Sequence, residues 1–321
     1  MIPRVRFAIL PTPVESLPRL STALEGPHLW VKRDDMTGLA FGGNKTRKLE
    51  FVMAEVQANG ARTLITVGAA QSNHCRQTAA MAARFGLDCI LVLSGDPSVN
   101  ISGNVLIDRL FHAEIVWTNR NERSKVLEKT FDRAWSEGRR PYLIPLGASN
   151  ATGALAYADA FNELMQQHVN PDWIVHASSS GGTQAGLLLG ARRTRWQGKI
   201  LGISVDNPAQ ELKTTVAALA SEASERLGDM ILFNPEDVLV NDDYLGAGYG
   251  VMGDLERHAI RLFAQQEGLL LDPVYTGRAA GGLIDLIQKG FFKHEETVLF
   301  WHTGGTPALF AEPYFNQLNN F

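Results

Sequence analysis

The feature that most constrains the fold is a regular alternation of strand-like and helix-like segments. Residues 63–67 are rich in β-branched side chains, residues 73–85 form an alanine-rich helical pattern, and residues 89–93 are again apolar. Strand and helix alternating at this spacing predict a parallel sheet with crossover helices. The pattern also predicts strands at 28–32, 114–118, 142–145, 173–177, 200–205, 238–240 and 298–302, and helices at 45–59, 105–111, 122–135, 151–168, 183–194, 210–227, 253–267 and 277–290.

The alternation continues without a linker, an internal repeat or a low-complexity segment. Two domains in such a chain must be interleaved rather than strung together. We expect residues 48–150 to form a small inserted α/β domain, and residues 1–47 plus 151–321 to form a large ligand-binding α/β domain. The predicted fold class is therefore α/β, with two interleaved domains that are each a mostly parallel twisted sheet flanked by helices.

Composition excludes several classes of function. The chain has 321 residues, 45% of them hydrophobic, which is enough for a well-buried core. A net charge of -4 without any Lys/Arg block argues against a nucleic-acid partner. The apolar runs are of strand length, so no membrane association is expected. Two cysteines and no secretory signal favour a cytoplasmic protein, and the eight histidines show no metal-ligand spacing.

Lys45 lies at the junction of a glycine-containing loop and a predicted helix. Gly42 and Gly43 precede it and leave the backbone open to a ligand. A lysine in this position can bind phosphate as a cation or act as an amine nucleophile. The spacing from Gly38 to Gly43 is that of a phosphate-binding Walker loop, but Asn44 stands where the lysine should be and breaks the register.

A second polar turn, residues 178–183, follows the predicted strand at 173–177. It contains three serines, two glycines and a threonine immediately before a predicted helix. Exposed backbone amides at a helix N-terminus favour a phosphate group. The turn lacks the G-x-G-x-x-G spacing, so a dinucleotide site is not indicated.

Three further turns follow strand-like segments, and in a parallel sheet such turns meet at one edge. Ser72 and Asn73 are either helix N-caps or a cradle for a carboxylate. Tyr249 lies in a glycine-rich loop that is either a flexible surface loop or presents a phenol to a cleft. Thr276 and Thr303 are candidates for neutral hydrogen bonds to a ligand, or N-caps.

Together, an amine nucleophile, a phosphate nest and no metal site suggest pyridoxal 5′-phosphate (PLP). This cofactor needs a lysine for its Schiff base, an amide-rich cup for its phosphate and a partner for its ring nitrogen. An interleaved cleft would bring these distant parts of the chain together.

At these residues the chain resembles PLP enzymes of the tryptophan synthase β-subunit fold, or fold type II. More narrowly, it is similar to the group that contains D-cysteine desulfhydrase, 1-aminocyclopropane-1-carboxylate deaminase and L-cysteate sulfo-lyase. The resemblance covers nearly the whole chain. Its motifs are Leu10-Pro11-Thr12-Pro13, Lys32-Arg33-Asp34-Asp35, residues 42–50, Gln71-Ser72-Asn73-His74, residues 271–277 and His302-Thr303-Gly304-Gly305.

For the cofactor, the resemblance implies that Lys45 forms the Schiff base and that Asn44 lies beside the ring hydroxyl. Thr276 and Thr303 would lie on the side of the ring nitrogen. The phosphate would be held by Ser180, Gly181, Gly182 and Thr183.

For the substrate, a small amino acid, the resemblance implies that Ser72, Asn73 and His74 bind it, the first two through its carboxylate. Tyr249 and Tyr275 would flank it. The predicted catalytic residues are Lys45, Ser72, Tyr249 and Tyr275. Enzymes of this fold type are usually dimers, so we also expect a homodimer.

The two threonines bear on the reaction. The cyclopropane deaminases carry Glu in place of Thr276 and Leu in place of Thr303, whereas desulfhydrase-like members carry Thr at both. The resemblance therefore implies α,β-elimination, with D-cysteine giving pyruvate, hydrogen sulfide and ammonia. L-Cysteate sulfo-lyase, which has Ser in place of Thr276 and releases sulfite, is the alternative, followed by the deaminase. A PLP-carrying binding protein without turnover is the non-enzymatic alternative.

Overall fold

The computed structural model describes residues 2–97, 101–312 and 314–319 as an α/β protein. Its strands are β1 (Val14–Ser16), β2 (His28–Arg33), β3 (Thr63–Ala69), β4 (Asp88–Ser94), β5 (Glu114–Thr118), β6 (Pro141–Leu143), β7 (Trp173–Ser178), β8 (Lys199–Ser204), β9 (Leu239–Asn241) and β10 (Thr297–His302). Its helices are α1 (Pro18–Ala23), α2 (Asn44–Ala58), α3 (Asn73–Phe85), α4 (Gly103–Leu110), α5 (Arg123–Ser136), α6 (Ala151–Gln166), α7 (Gly182–Thr194), α8 (Ala209–Leu227), α9 (Asp254–Glu267), α10 (Thr276–Gln288) and α11 (Tyr314–Leu318).

The strands form two separate sheets. One has the order β5-β4-β3-β6, and the other has the order β1-β2-β10-β7-β8-β9. Every strand pair is parallel except β1 with β2, which is antiparallel. The predicted α/β class with mostly parallel sheets is confirmed. The expected domain boundaries separate the strands of one sheet from the strands of the other. The boundaries themselves stay a prediction.

Helices cover both faces of each sheet. Along β7, Val175 packs in a core with α9 and α10, whereas Ile174 packs in another core with α6 and α7. In the smaller sheet, Leu64 packs with α2 and α3, and its neighbour Ile65 packs with α5. Alternate residues of a strand point to opposite faces, so strands with two covered faces are apolar along their whole length.

The elements that the sequence pattern missed are short. Strand β1 has three residues, helix α1 has six and helix α11 has five. Segments of this length contain too few periods to give a helical or strand pattern. Within the described residues, no helix is long and apolar enough to cross a membrane, and no group of His, Cys, Asp or Glu side chains is arranged to hold a metal ion.

A buried ionic network holds the start of α2 in place. The Arg47 guanidinium donates hydrogen bonds to Asp34 at 2.8 Å and to Glu163 at 2.8 Å. Asp34 is fully buried, and it also accepts hydrogen bonds from Tyr157 and Trp301. The partners come from a 3-10 turn, a helix and a strand that are far apart in the chain. The network therefore fixes α2 relative to the larger sheet.

Candidate active site

A cavity lies where the carboxyl ends of strands from both sheets face each other. It spans ≈ 960 Å³, including space that opens to solvent. Parallel sheets place their polar turns at this edge, where ligands bind. The residues that line it are Asn44, Lys45, Gly68, Ala69, Ser72, Asn73, His74, Ser94, Arg120, Arg123, Leu146, Gly147, Ala177, Ser178, Ser179, Ser180, Gly181, Thr183, Asp206, Tyr249, Tyr275, Thr303 and Gly304.

Lys45 is the second residue of α2, and its amine faces the cavity. Its Nζ donates a hydrogen bond to Asn44 Oδ1 at 2.9 Å, and Asn44 Nδ2 donates to Thr183 Oγ1 at 3.0 Å. Burial and the nearby Arg76 guanidinium lower the pKa of Lys45 to about 8, against the opposing charge of Asp272. An amine with this pKa is neutral in a substantial fraction of molecules near neutral pH, as a nucleophile or base must be.

The loop before Lys45 can adopt its path only with glycine at position 42. Gly42 has a φ of 62°, and a Cβ added there would lie 2.0 Å from the backbone oxygen of Asp35. Gly42 O accepts a hydrogen bond from Arg76 Nη2 at 3.0 Å. The backbone N of Asn44 donates to Thr303 O at 3.0 Å. The loop is therefore tied to α3 on one side and to the segment after β10 on the other, which fixes the position of Lys45.

The serine- and glycine-rich turn runs from the end of β7 into α7, as predicted. Ser180 Oγ lies 2.7 Å from Ser149 Oγ. Lys48, one turn after Lys45 on α2, reaches the same place, where its Nζ donates to Gly147 O and Ser149 Oγ at 3.3 Å each. Burial first, and then the charge of Lys45, lowers the pKa of Lys48 well below its usual value.

The turn after β3 forms a helix cap and also lines the cavity. Ser72 Oγ accepts from the backbone N of Cys75 at 3.2 Å, and its hydroxyl proton is left for another acceptor. Asn73 Oδ1 accepts from Arg76 Nη1 at 2.8 Å. His74 Nε2 lies 2.8 Å from Thr66 Oγ1, and burial lowers the pKa of His74 well below its usual value. The helix cap formed by Ser72 is therefore confirmed, and the cradle for a carboxylate stays a prediction.

Tyr249 and Tyr275 form a pair at one wall of the cavity. Their hydroxyl oxygens are 2.7 Å apart, and their rings meet edge to face with centroids 5.9 Å apart. Burial raises the pKa of both phenols above the usual value. Each tyrosine therefore keeps its proton near neutral pH, and the pair can donate a hydrogen bond to a group in the cavity.

The two threonines have different positions. Thr303 lines the cavity, whereas Thr276 is fully buried at the start of α10 and is not among the lining residues. The Thr276 hydroxyl donates to Asp272 Oδ1 at 2.7 Å and accepts from the backbone N of Asp272 at 2.8 Å. Gly182 also lies outside the lining. The cofactor contacts expected of Thr276 and Gly182 stay predictions.

Four charged residues were not predicted as site residues. Lys48 could have been found from its spacing, because residues three apart lie on one helix face. Arg120, Arg123 and Asp206 also line or adjoin the cavity, and no motif surrounds them in the sequence. Only the folded sheets bring these three side chains to the other site residues.

Comparison with known proteins agrees with this geometry. Residues 5–304 match the protein family described as pyridoxal-phosphate dependent enzyme. The chain belongs to the pyridoxal-phosphate dependent enzyme family. Its cofactor is PLP, as the lysine and the phosphate nest predicted.

Solved structures show the same fold for this PLP enzyme. A protein described as an ACC deaminase homologue is 37% identical with a TM-score of 0.90, over 99% of this chain and 95% of that chain. The L-serine ammonia-lyase of the fungus Rhizomucor miehei is 17% identical, with a TM-score of 0.69 over 97% and 98% of the two chains. A hydrogen sulfide-producing enzyme of Fusobacterium nucleatum is 14% identical, with a TM-score of 0.66 over 92% and 96%. The last two identities support the fold alone.

The residues of the PLP enzyme's nest fit the cofactor phosphate. The buried Ser178 Oγ has no hydrogen-bond partner within the described residues, so it is available to a ligand. A Cβ added at Gly182 would lie 2.7 Å from Ser149 Oγ and 2.9 Å from Lys48 Nζ, so only glycine leaves this approach open. We expect the amides and hydroxyls of the turn to bind the phosphate, with Lys48 beneath them.

Proposed function

We propose that this PLP enzyme catalyses α,β-elimination from a small amino acid with a leaving group on its β-carbon. The observation that carries the proposal is the Lys45 amine, which shares one cavity with a phosphate nest and a proton-bearing tyrosine pair. PLP, when bound, withdraws electrons from the α-carbon of the substrate. The rest of the reaction needs a base, an anchor for the substrate carboxylate and a proton source at the leaving group.

The residues of the cavity can supply these three functions. Ser72 and Asn73 lie at the N-terminus of α3, where a hydroxyl, an amide and backbone N–H groups favour the substrate carboxylate. Lys45 Nζ, with its lowered pKa, accepts the α-proton. Tyr249 and Tyr275 keep their protons in the same cavity and can donate one to the departing group. Because substrate handedness decides which face presents the α-proton, a group other than Lys45 removes it for the opposite enantiomer.

D-Cysteine is the first candidate substrate. This ranking rests on Thr276 and Thr303, because desulfhydrase-like members carry Thr at both positions. Cysteine and water would give pyruvate, ammonia and hydrogen sulfide. L-Cysteate, which would give sulfite in place of sulfide, is the second candidate, because Arg120 and Arg123 line the cavity and favour an anionic group.

A product assay tests the proposal. Purified enzyme loaded with PLP is incubated with D-cysteine, L-cysteine, L-cysteate and 1-aminocyclopropane-1-carboxylate. The assay measures 2-oxo acid and ammonia together with sulfide or sulfite. We expect pyruvate in equal amounts with ammonia and one sulfur product. Release of 2-oxobutyrate from the cyclopropane acid alone would favour a deaminase, and no product from any substrate would favour a PLP-carrying binding protein.

A further inference from the structure

Two arginines reach the cavity from the side of the smaller sheet. Arg120 follows β5 and Arg123 begins α5, and both line the cavity. The Arg120 guanidinium carbon is 6.0 Å from the ring centroid of Tyr249. The mechanism described above gives neither arginine a function.

These guanidinium groups have little compensating charge. Within residues 2–97, 101–312 and 314–319, no carboxylate lies within ion-pair distance of Arg120 or Arg123. Asp206 is the acidic residue among those that line the cavity. Burial raises the pKa of Asp206, although Ser179 and the two arginines act against that shift. Two guanidinium groups therefore face one carboxyl group here, and this side of the cavity is positively charged.

The sheet order places the arginines on a different turn from Ser72 and Asn73. In the order β5-β4-β3-β6, strand β5 lies two places from β3, whose turn carries Ser72 and Asn73. Neighbouring strands are about 4.8 Å apart, so the two turns are roughly 10 Å apart at their backbones. An arginine side chain is long enough to cover most of the distance between these turns, so it can reach a small substrate held at the turn after β3. Arg120 lies beside Tyr249, one of the two tyrosines proposed to donate a proton to the leaving group.

We propose that Arg120 and Arg123 form the subsite for the β-substituent and favour a tetrahedral oxyanion, such as a sulfonate or a phosphate ester, which would make L-cysteate a better substrate than D-cysteine. The inference rests on the proposed elimination. In that reaction the α-proton goes to Lys45, the bond from the β-carbon to sulfur or oxygen breaks, and the leaving group takes the electron pair as sulfite or phosphate. Guanidinium groups bind such oxyanions through two parallel N–H donors and stabilise the charge that departs with them.

Substrates that differ in the charge of the β-substituent test the assignment. We would compare kcat/KM for L-cysteate and O-phosphoserine with that for β-chloroalanine, whose substituent is neutral, using both enantiomers of each. The enzymes are the parent, Arg120→Gln, Arg123→Gln and, as a control, Arg19→Gln. Arg19 is exposed on α1 and does not line the cavity.

Loss of a charge-assisted contact should lower kcat/KM for the anionic substrates by about tenfold or more in each cavity variant. The value for β-chloroalanine should change less than about twofold, and the control variant should behave like the parent. Comparison of L-cysteate with O-phosphoserine decides between a sulfonate and a phosphate ester. An equal loss on neutral and anionic substrates would show that the arginines bind the α-carboxylate or hold the domains together, and would overturn the assignment. No loss on any substrate would overturn it as well.

A binding measurement keeps the inference separate from the proposed reaction. The compound 2-amino-3-phosphonopropionate carries an anionic β-substituent that cannot leave, and alanine carries none. Dissociation constants for both follow from the absorbance change of bound PLP. We expect Arg120→Gln and Arg123→Gln to weaken binding of the phosphono compound about tenfold and to leave alanine unchanged. If binding follows this pattern and no β-substituted substrate turns over, the proposed elimination fails and the subsite stands. If turnover occurs and binding does not discriminate, the subsite fails.

Discussion

At the scale of single residues, two lysines one turn apart on α2 have different surroundings. Lys45 contacts Asn44 and faces the cavity, whereas Lys48 is buried against Gly147 and Ser149 beside the nest. The sequence alone placed a lysine beside glycines and predicted a covalent role for Lys45. It could not assign Lys48 to the nest, because the contact with Ser149 depends on how α2 packs against a distant turn.

The lowered pKa of Lys45 makes a prediction about cofactor capture. Because burial and Arg76 lower this pKa to about 8, the neutral amine becomes the major form above that pH. The rate at which the apoprotein captures PLP is measured by absorbance and divided by the rate for a simple alkylamine at the same pH. We expect this ratio to be largest near neutral pH and to decline above pH 8. A Lys45→Ala protein should not show this capture. A ratio that stays constant from pH 7 to pH 10 would contradict the assigned environment.

The other residues of the cavity differ in how far the sequence could identify them. Ser72, Asn73, His74, Tyr249 and Tyr275 line the cavity. Ser72, Asn73 and Tyr249 stood out in the sequence because they lie in turns that follow strands, whereas His74 and Tyr275 were implied by the family resemblance. Arg120 lies in a polar loop after the edge strand β5, and Arg123 begins α5. Their place in the cavity depends on the position of β5 in the sheet, which the sequence pattern did not give.

At the scale of elements, α2 carries the candidate lysine and depends on the buried network around Asp34. Burial alone would raise the pKa of Asp34, but the Arg47 guanidinium and the Lys32 charge outweigh it and lower that pKa below its usual value. A carboxylate with a depressed pKa stabilises the fold above its unfolded-state pKa of about 4. This contribution is lost as the pH falls through the lower pKa of the folded state.

Asp34→Asn therefore has a predicted cost and a predicted pH dependence. The variant leaves Arg47 buried with fewer acceptors, so the free energy of unfolding at pH 7 should fall by about 3 kcal/mol. Asp159→Asn, which removes a half-exposed partner of Arg4, is the control and should cost less than about 1 kcal/mol. Urea unfolding measures both. The difference between parent and Asp34→Asn should shrink below pH 4, and a difference that grows there would contradict this electrostatic account.

The order of long elements was predictable, and the short ones were not. Helices such as α3 and strands such as β4 contain several repeats of their periodic pattern, and Gly86 ends α3 in a left-handed conformation. Strand β6 occupies Pro141–Leu143 rather than residues 142–145, because Pro145 begins a turn instead of continuing the strand. Strand β1 exists through its pairing with β2, which tertiary structure supplies.

At the scale of the whole molecule, the cavity exists because two parallel sheets face each other with their carboxyl ends. Strands β3–β6 build one sheet, and β2 and β7–β10 build most of the other. The chain therefore leaves the larger sheet after β2 and returns to it at β7. This path brings Lys45, the turn after β3 and the nest after β7 to one place. The alternation in the sequence predicted the parallel sheets, and a homodimer stays a prediction because no interface is identified.

The central claim is that Lys45 holds PLP and serves as the base. It is tested most directly by finding the lysine that carries the cofactor. Borohydride reduction of the PLP-loaded enzyme makes that bond permanent, and peptide mass spectrometry then locates the added pyridoxyl phosphate group. We expect the group on Lys45, with Lys48 unmodified beside the nest. A group found on Lys48 or on any other lysine, with Lys45 unmodified, would contradict it.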